Sequence, residues 1–439
     1  MSASSRPRNP PVGRYRASEA MLERALKSIP LGTQTFSKSH TAYPVGVSPL
    51  FIVRGRGAHV WDVDGNEYVD MVNALAAVTL GYDDPDVTAA VKAQIDDGVI
   101  FSLPHPLETE CAETIIRMVP AAEMVRFGKN GSDATAGAIR VARAFTGRDR
   151  VAVCGYHGWQ DWYIGSTARN KGVPKAVSDL THAFPYNDAG ALDALLKSRP
   201  GEFAAVILEP MSSSEPKPGY LGALKEICRR HGALLVFDET ITGFRLANGG
   251  AQEYYGVTPD LASLGKGMAN GYPLSAVVGR ADVMREMEDV FFSFTMGGET
   301  LSLAAALATM RKLETQPVLK RMAATGEAIV EGLKSRIEKH QVGHFMSISG
   351  HPTWSFVNIK DSNGISLWET KTLWRQEMFA HGFLIGGGHT VSYAHTDKDI
   401  ETLLAAYDEV LPILKEAVDN GAMRQFLRCK PQEPLFRVR

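Results

Sequence analysis

A chain of 439 residues, 44% hydrophobic and 22% charged, is long enough for roughly two or three packed domains. Its formal net charge of −2, with Lys and Arg scattered rather than striped, excludes a dedicated partner of nucleic acid or another polyanion. No run of about eighteen apolar residues occurs, so no membrane span is expected, and four widely separated cysteines (Cys111, Cys154, Cys228, Cys429) suit a reducing cytoplasm and give neither a metal site nor a disulfide framework.

Residues 1–18, rich in Ser, Pro and Arg and lacking an apolar stretch, read as a flexible arm rather than a secretion signal. Residues 19–80 form an N-terminal segment assigned to a smaller domain. Within it, Ala58 to Met71 alternates apolar and polar residues around Asp64-Gly65, which predicts a β-hairpin. The acidic residues there do not make a calcium loop, because Gly65 is misplaced and no Glu closes it. From 81 to 315 strands and helices alternate. Strand-like runs at Met124–Phe127, Arg150–Cys154, Ala204–Leu208, Ala233–Phe237 and Ser275–Val278 are separated by helical patterns such as Ala134–Phe145 and Leu221–His231. Short apolar strands between amphipathic helices predict an α/β domain with a mostly parallel sheet covered on both faces. Residues 316–439 read as a smaller α+β domain, with a strand at Thr353–Ile359 and a helix from Asp397 to Asn420.

Ligands of an open parallel sheet sit beyond the carboxyl ends of its strands, so the residues just after each strand carry the chemistry. One strand ends in Asp238-Glu239, and the run Asp260-Leu-Ala-Ser-Leu is followed by Gly265-Lys266-Gly267. Either alone is unremarkable: an Asp caps loops, and a loop Lys is normally solvated. Together they supply what pyridoxal 5′-phosphate (PLP) chemistry requires, an amine to bind the aldehyde and a carboxylate to keep the pyridine nitrogen protonated. A third strand is followed by Gly128-Lys-Asn-Gly131-Ser132-Asp133 and an Ala-rich helix, a place where backbone N–H groups can grip a phosphate. The plainer reading of that turn is an N-cap by Ser132 or Asp133. Neither glycine-rich loop has the Walker pattern, and no strand-to-helix turn carries Gly-x-Gly-x-x-Gly, which removes support for a nicotinamide enzyme. Gly155-Tyr156-His157-Gly158 follows a fourth strand, offering a ring to stack on a flat heterocycle and a His to orient neighbours.

The order Asn-Gly-Ser-Asp-Ala, Tyr-His-Gly, Ile-Leu-Glu-Pro, Phe-Asp-Glu-x-x-Thr-Gly-Phe-Arg and Leu-Gly-Lys-Gly resembles the class III aminotransferases of PLP fold type I, most of all the glutamate-1-semialdehyde 2,1-aminomutase group. The likeness runs from about Pro30 to Leu313. It implies a large domain with a mostly parallel seven-stranded sheet, a smaller α+β domain and a homodimer whose active sites are shared. It also implies that Lys266 forms the Schiff base and shuttles the substrate proton, that Asp238 pairs with the pyridinium N–H, that Gly131 and Ser132 bind phosphate and that Tyr156 stacks on the ring beside His157. Glu209 would lie near the substrate or help to order the site, and Thr300 would complete the phosphate site of the neighbouring subunit.

The departures from the family concern the substrate. Where the aminomutases carry an Arg for the substrate carboxylate, this chain reads Gln34-Thr-Phe-Ser-Lys38-Ser-His40, so Lys38 takes that place without the two-pronged geometry of Arg. The segment after Tyr-His-Gly, which in the aminomutases closes over a diamino intermediate, is shorter here and more aromatic, with Trp159 and Trp162 as candidate walls of a sugar-like acceptor pocket. Gly-Ser-Asp-Ala replaces the usual Gly-Thr-Glu-Ala. The expectation is a PLP enzyme that passes an amino group from a small-molecule donor to a separate carbonyl acceptor. The aminomutase reaction is the alternative, followed by a racemase or epimerase and by a non-catalytic relative. Arg375 and Gly386-Gly-Gly-His389 are further candidates for reading the substrate.

Overall fold

Seven short, largely buried strands line up in one sheet in the order Met124–Gly128, Ser275–Gly279, Leu261–Leu264, Leu234–Asp238, Phe203–Leu208, Arg150–Cys154 and Thr181–Ala183. Ser275–Gly279 is antiparallel to both of its neighbours, and the remaining pairings are parallel. This is the mostly parallel, seven-stranded sheet that the sequence predicts. The inner strands are apolar on both faces, as burial under helices on each side demands. The helix Gly131–Thr146 lies across several strands. Its buried stripe of Ala134, Ala138, Ile139, Val141 and Ala142 meets Val151, Val153, Ile207, Val236 and Val277 in the core. Small residues on that stripe let the helix sit close: a Cβ on Gly137 would stand 3.0 Å from Val277.

The computed structural model describes residues 13–433. These divide into two units, one built from the chain up to Leu75, Leu80–Asp83 and the chain from Lys320 onward, the other from Ala76–Thr79 and Asp84–Leu319. The sheet above belongs to the second unit. The first contains a four-stranded sheet, whose hairpin pairs His59–Asp62 with Glu67–Asp70, and a three-stranded antiparallel sheet holding Met346–His351, Trp354–Ile359 and Gly388–Thr390. The helix Asp397–Asp419 packs on Leu367–Ala380 in the same unit.

Residues 1–12 of the expected arm lie outside the described residues. The rest of it is not an arm: Tyr15 is buried and a helix starts at Arg16. The hairpin turn explains why. Asp64 accepts hydrogen bonds from the N–H groups of Ala17 and Ser18 at 2.6 and 2.9 Å, so the acidic turn caps a helix. The crossing near residue 80 is also less simple than one boundary. In one unit Arg245 donates to the carbonyl of Ala76 and Asn270 accepts from the N–H of Thr79. In the other, Tyr82 exchanges backbone hydrogen bonds with Gly57. The passage begins in an unusual turn. Asn73, Ala74, Leu75 and Ala76 all have φ between 48° and 68°, a left-handed path that costs non-glycine residues about 1–2 kcal/mol each. The buried carboxylate of Asp70 holds its start, accepting from the N–H groups of Val72 and Asn73 at 2.7 and 3.0 Å.

Close packing in the first unit makes a direct test. A Cβ at Gly326, inside the helix Val318–Lys339, would lie 2.0 Å from the carbonyl oxygen of Pro352, whereas one at Gly222 meets nothing within 4 Å. Gly326→Ala is expected to destabilise the protein by about 1–3 kcal/mol, and Gly222→Ala to leave it unchanged or raise stability by about 0.5–1 kcal/mol. Denaturant melts of both variants check the pair.

Candidate active site

Strand register brings the candidate residues to one edge. Cys154 pairs with Leu208, Leu208 with Phe237, Asp238 with Ser263, and Gly128 with Ser275. The loops after Gly128, Cys154, Leu208, Asp238 and Leu264 therefore leave the sheet side by side, the position where open α/β sheets bind ligands.

Asp238 is the most heavily supported of these groups. It is 6% exposed, and burial alone would push its carboxyl up. Hydrogen bonds overcome that and hold it below the usual range, led by the one from His157, with the hydroxyl and N–H of Thr240 adding to it. His157 Nδ1 lies 2.9 Å from Oδ2, while the Thr240 hydroxyl at 2.6 Å and the Ser263 hydroxyl at 3.1 Å donate to Oδ1. The other ring nitrogen of His157 faces the carbonyl oxygen of Cys154 at 3.2 Å. Both ring nitrogens thus face oxygen atoms of the protein. His157 is 1% exposed, with one ring nitrogen on Asp238. Oδ1 carries two donors from side chains and Oδ2 one, so Oδ2 keeps acceptor capacity for a protonated ring nitrogen.

Glu209 sits on the next strand end and accepts from the N–H of Tyr156 at 3.1 Å. Gly155, at φ +108°, makes room for it, since a Cβ there would meet Glu209 Oε2 at 2.6 Å. Burial, and then the negative charge of Asp238, push the Glu209 carboxyl up. Two neighbouring carboxyls are therefore driven in opposite directions, one held ionised and the other toward neutrality. Tyr156 is 53% exposed, its ring packed edge-on against Tyr163 at 5.7 Å. The exposed ring suits stacking on a planar ligand.

Lys266 opens a short 3-10 turn and has φ +45°, a left-handed conformation for a residue with a side chain. Burial depresses its ammonium, assisted by the cation of Arg245 and opposed by the carboxylates of Asp238 and Glu209. The turn is seated closely. A Cβ on Gly267 would lie 2.3 Å from the Thr79 hydroxyl, and that residue's N–H is taken by Asn270 at 3.0 Å.

The turn before the helix Gly131–Thr146 has the form of an anion cradle. Asp133 Oδ2 accepts from the N–H groups of Lys129 and Asn130 at 3.2 and 2.7 Å, while the amides of Gly131 and Ser132 fall in the first turn, where a helix offers no acceptor. Side chains are excluded from the approach. A Cβ on Gly131 would strike Thr240 at 2.6 Å, and one on Gly158, itself at φ +102°, would strike Ser132 at 2.5 Å. An ionised buried carboxylate, a desolvated amine, an exposed aromatic ring and an anion cradle at one sheet edge fit a flat cationic heterocycle bearing a phosphate.

Three expectations change. Trp162 is 8% exposed and belongs to the core, with its carbonyl taken by Thr181, so it does not line an acceptor pocket; Trp159 is 68% exposed. Thr300 is fully buried and its hydroxyl donates to the carbonyls of Gly98 and Val99 at 3.0 Å, which leaves nothing to offer another subunit. Thr295, five residues earlier, is exposed. Arg375 donates to the carbonyls of Ala42 and Gly386, and His389 is fully buried between Ser355 and Tyr407, so both serve the packing of their own unit. Lys38 is exposed on the rim of a cavity of about 320 Å³ in the first unit, lined also by His40, Tyr43, Asp70 and Tyr82. Thr240, Ser263 and Arg245 escaped the sequence reading. Ser263 left one signal, a polar residue within an otherwise apolar strand.

Residues 42–372 match the family described as Aminotransferase class-III. A glutamate-1-semialdehyde 2,1-aminomutase of Sorangium cellulosum (strain So ce56) is 36% identical over 430 residues, covering 90% of this chain and 96% of its own. A 3-aminobutyryl-CoA aminotransferase of Cloacimonas acidaminovorans (strain Evry) is 33% identical over 409 residues, covering 91% and 97%. The structure of the FumI protein of Sphingopyxis sp. MTA144 in its PLP internal aldimine form has a TM-score of 0.85 at 28% identity, covering 95% of this chain and 99% of that one. For an omega-transaminase from Sphaerobacter thermophilus the TM-score is 0.82 at 29% identity, covering 91% and 99%.

The depressed ammonium of Lys266 has a consequence for stability. Its folded pKa lies below its unfolded one, so the charge weakens the fold in full at low pH and the penalty fades as pH rises toward the ordinary lysine value of about 10.4. Cofactor-free Lys266→Met should therefore melt above cofactor-free wild type at neutral pH, with a gap that narrows on going to pH ~10. A gap that does not vary with pH would show that the lysine carries no charge penalty.

Proposed function

The chain belongs to the class III aminotransferases, and on that footing we propose that it transfers an amino group between two separate small molecules, from an amino donor to a carbonyl acceptor. The cofactor is pyridoxal 5′-phosphate. When bound, it supplies an aldehyde carbon that condenses with amines and a protonated ring that accepts the electron pair released at the substrate Cα.

In this reading Lys266 holds the cofactor and carries the proton at Cα. Its depressed ammonium suits the work, because the neutral amine is both nucleophile and base. Asp238, kept ionised by His157 and Thr240, holds a proton on the ring nitrogen. The amides of Gly131 and Ser132 and the Ser132 hydroxyl hold the phosphate, and Tyr156 covers one face of the ring. Glu209, its carboxyl pushed up by burial and by the charge of Asp238, lies near the substrate or helps to order the site. Lys38 is the cation assigned to an anionic substrate group. A homodimer with shared sites remains part of the proposal, with Thr295 in place of Thr300 as the hydroxyl lent to the partner.

The observation that carries the intermolecular reaction is the packing of the segment after Gly158. Trp162 and Tyr163 are buried in the sheet's core, and the Tyr163 hydroxyl donates to the carbonyl of Gly155 at 2.8 Å. We read a segment pinned at these residues as a fixed wall rather than a closing flap, an arrangement that lets a reaction intermediate leave. The aminomutase reaction is the second reading, favoured by 36% identity to the Sorangium enzyme. The sugar-like acceptor loses its main support, since one of its two expected walls lies in the core.

PLP bound to the protein should give a visible absorbance band that one class of amino donor bleaches and a carbonyl acceptor restores. Lys266→Ala should lower turnover by about 10³-fold or more. Conversion of glutamate-1-semialdehyde without any added donor, with no other acceptor accepted, would replace this proposal by the aminomutase.

A further inference from the structure

The turn that would grip the phosphate, Lys129-Asn130, runs from Gly128 at the end of a strand to Gly131 at the start of a helix, two residues that by themselves give a backbone little stiffness. An anion grip needs its N–H groups held in fixed directions, so the stiffness must come from the surroundings. Asp133 supplies part of it through the N–H groups of Lys129 and Asn130. A further anchor is the side chain of Lys129, whose Nζ lies 2.9 Å from Glu299 Oε2. We infer that the Lys129–Glu299 ion pair is a positioning device that fixes the shape of the anion cradle and so sets how tightly the cofactor's phosphate is held, without touching it. This rests on the reading of the site as one for pyridoxal phosphate.

Several features separate the pair from an ordinary surface bridge. Its side chains are 15% and 14% exposed, and a pair partly withdrawn from water gains when further hydrogen bonds satisfy it. Glu299 has them. Its Oε1 accepts from the N–H of Leu301 at 2.7 Å and its Oε2 from the hydroxyl of Ser302 at 2.6 Å, so the carboxylate also caps the helix Thr300–Thr315. Lys129 is thus fastened to the rigid start of a 16-residue helix. The turn is closed from the same side by neighbouring contacts: a Cβ on Gly128 would lie 2.7 Å from Ser275 Oγ and 3.5 Å from the ring of Phe294, five residues before Glu299. The pairing also decides what the cation does. Lys129 stands two residues before the Gly131 amide, so where its side chain is held acts directly on the turn. Bound to Glu299, it is neutralised and serves geometry.

The test compares PLP with phosphate-free pyridoxal, using cofactor-stripped full-length protein and the absorbance of the bound aldehyde. Lys129→Met and Glu299→Gln should each weaken PLP about tenfold and leave pyridoxal within about twofold of wild type, while Lys129→Arg restores PLP affinity. Removing one partner strands a partly buried charge and can lower folding yield, so the Lys129→Met/Glu299→Gln double variant is included. It carries no orphan charge and should show the same tenfold loss as each single variant rather than their product. Equal losses for PLP and pyridoxal, or a double variant that binds PLP like wild type, would overturn the inference and leave a pair that serves only the fold. Wild type that binds no PLP would instead overturn the reading of the site.

Discussion

The buried charge on Asp238 is the constraint from which the rest of the site follows. A carboxylate at the end of an inner strand loses most of its hydration and would take up a proton unless donors replace the lost water. The chain provides them from three directions: Thr240 from its own loop, Ser263 from the adjacent strand, and His157 from a strand two places away. Each donor depends on register. A slip of one residue in the strand Leu261–Leu264 would turn Ser263 to the opposite face of the sheet and remove its bond to Asp238. The sheet's long-range pairing is therefore part of the electrostatics, and a substitution that disturbs strand alignment acts on the carboxyl without being near it.

The glycines at this edge answer a related demand. Gly155, Gly158 and Gly267 each lie where a Cβ would come within 2.6 Å of another group, those groups being Glu209, Ser132 and Thr79. They allow neighbouring loops to converge until their polar atoms face one space. Two of the three, Gly155 and Gly158, also have positive φ, so two independent reasons exclude any other residue there. The segment Gly155-Tyr156-His157-Gly158 can then place one aromatic ring outward and one imidazole inward within four residues.

Much of this was legible in the sequence, and the failures follow a pattern. Strand positions could be read because inner strands of a doubly covered sheet are continuous apolar runs; Leu261–Leu264 was recognised by its form and Thr181–Ala183, an edge strand with His182 in it, was not. Lys266, Asp238 and the Gly131-Ser132 turn could be read because they follow strands directly. What escaped was everything decided by which side chains meet in space. Trp162 looks the same in sequence whether it lines a pocket or fills a core, and only the burial of its ring decides. Thr300 and Thr295 lie five residues apart in one segment, and only the start of a helix at Thr300, which turns its hydroxyl to the carbonyls of Gly98 and Val99, separates them. The arm ends sooner than the sequence predicts because its end depends on Asp64, nearly fifty residues away in sequence.

Lys266 concentrates the cost of this arrangement. It has a side chain in left-handed backbone, φ +45°, and an ammonium pushed down by burial with another cation, Arg245, in its field. A chain selected only for stability would place glycine there, and a site meant only to attract anions would expose the lysine to water. The neighbouring carboxyls limit the depression: Asp238 and Glu209 both favour the charged amine, yet Glu209 is itself driven toward neutrality by burial and by Asp238. The three groups therefore form a balance in which a proton gained by one changes the others. That is the condition an amine needs if it must be a nucleophile at one moment and a proton carrier at the next. It also explains why the strain is confined to one short turn, braced by Gly267 against Thr79 and by Asn270 across the N–H of the same residue, while the sheet beneath it stays regular.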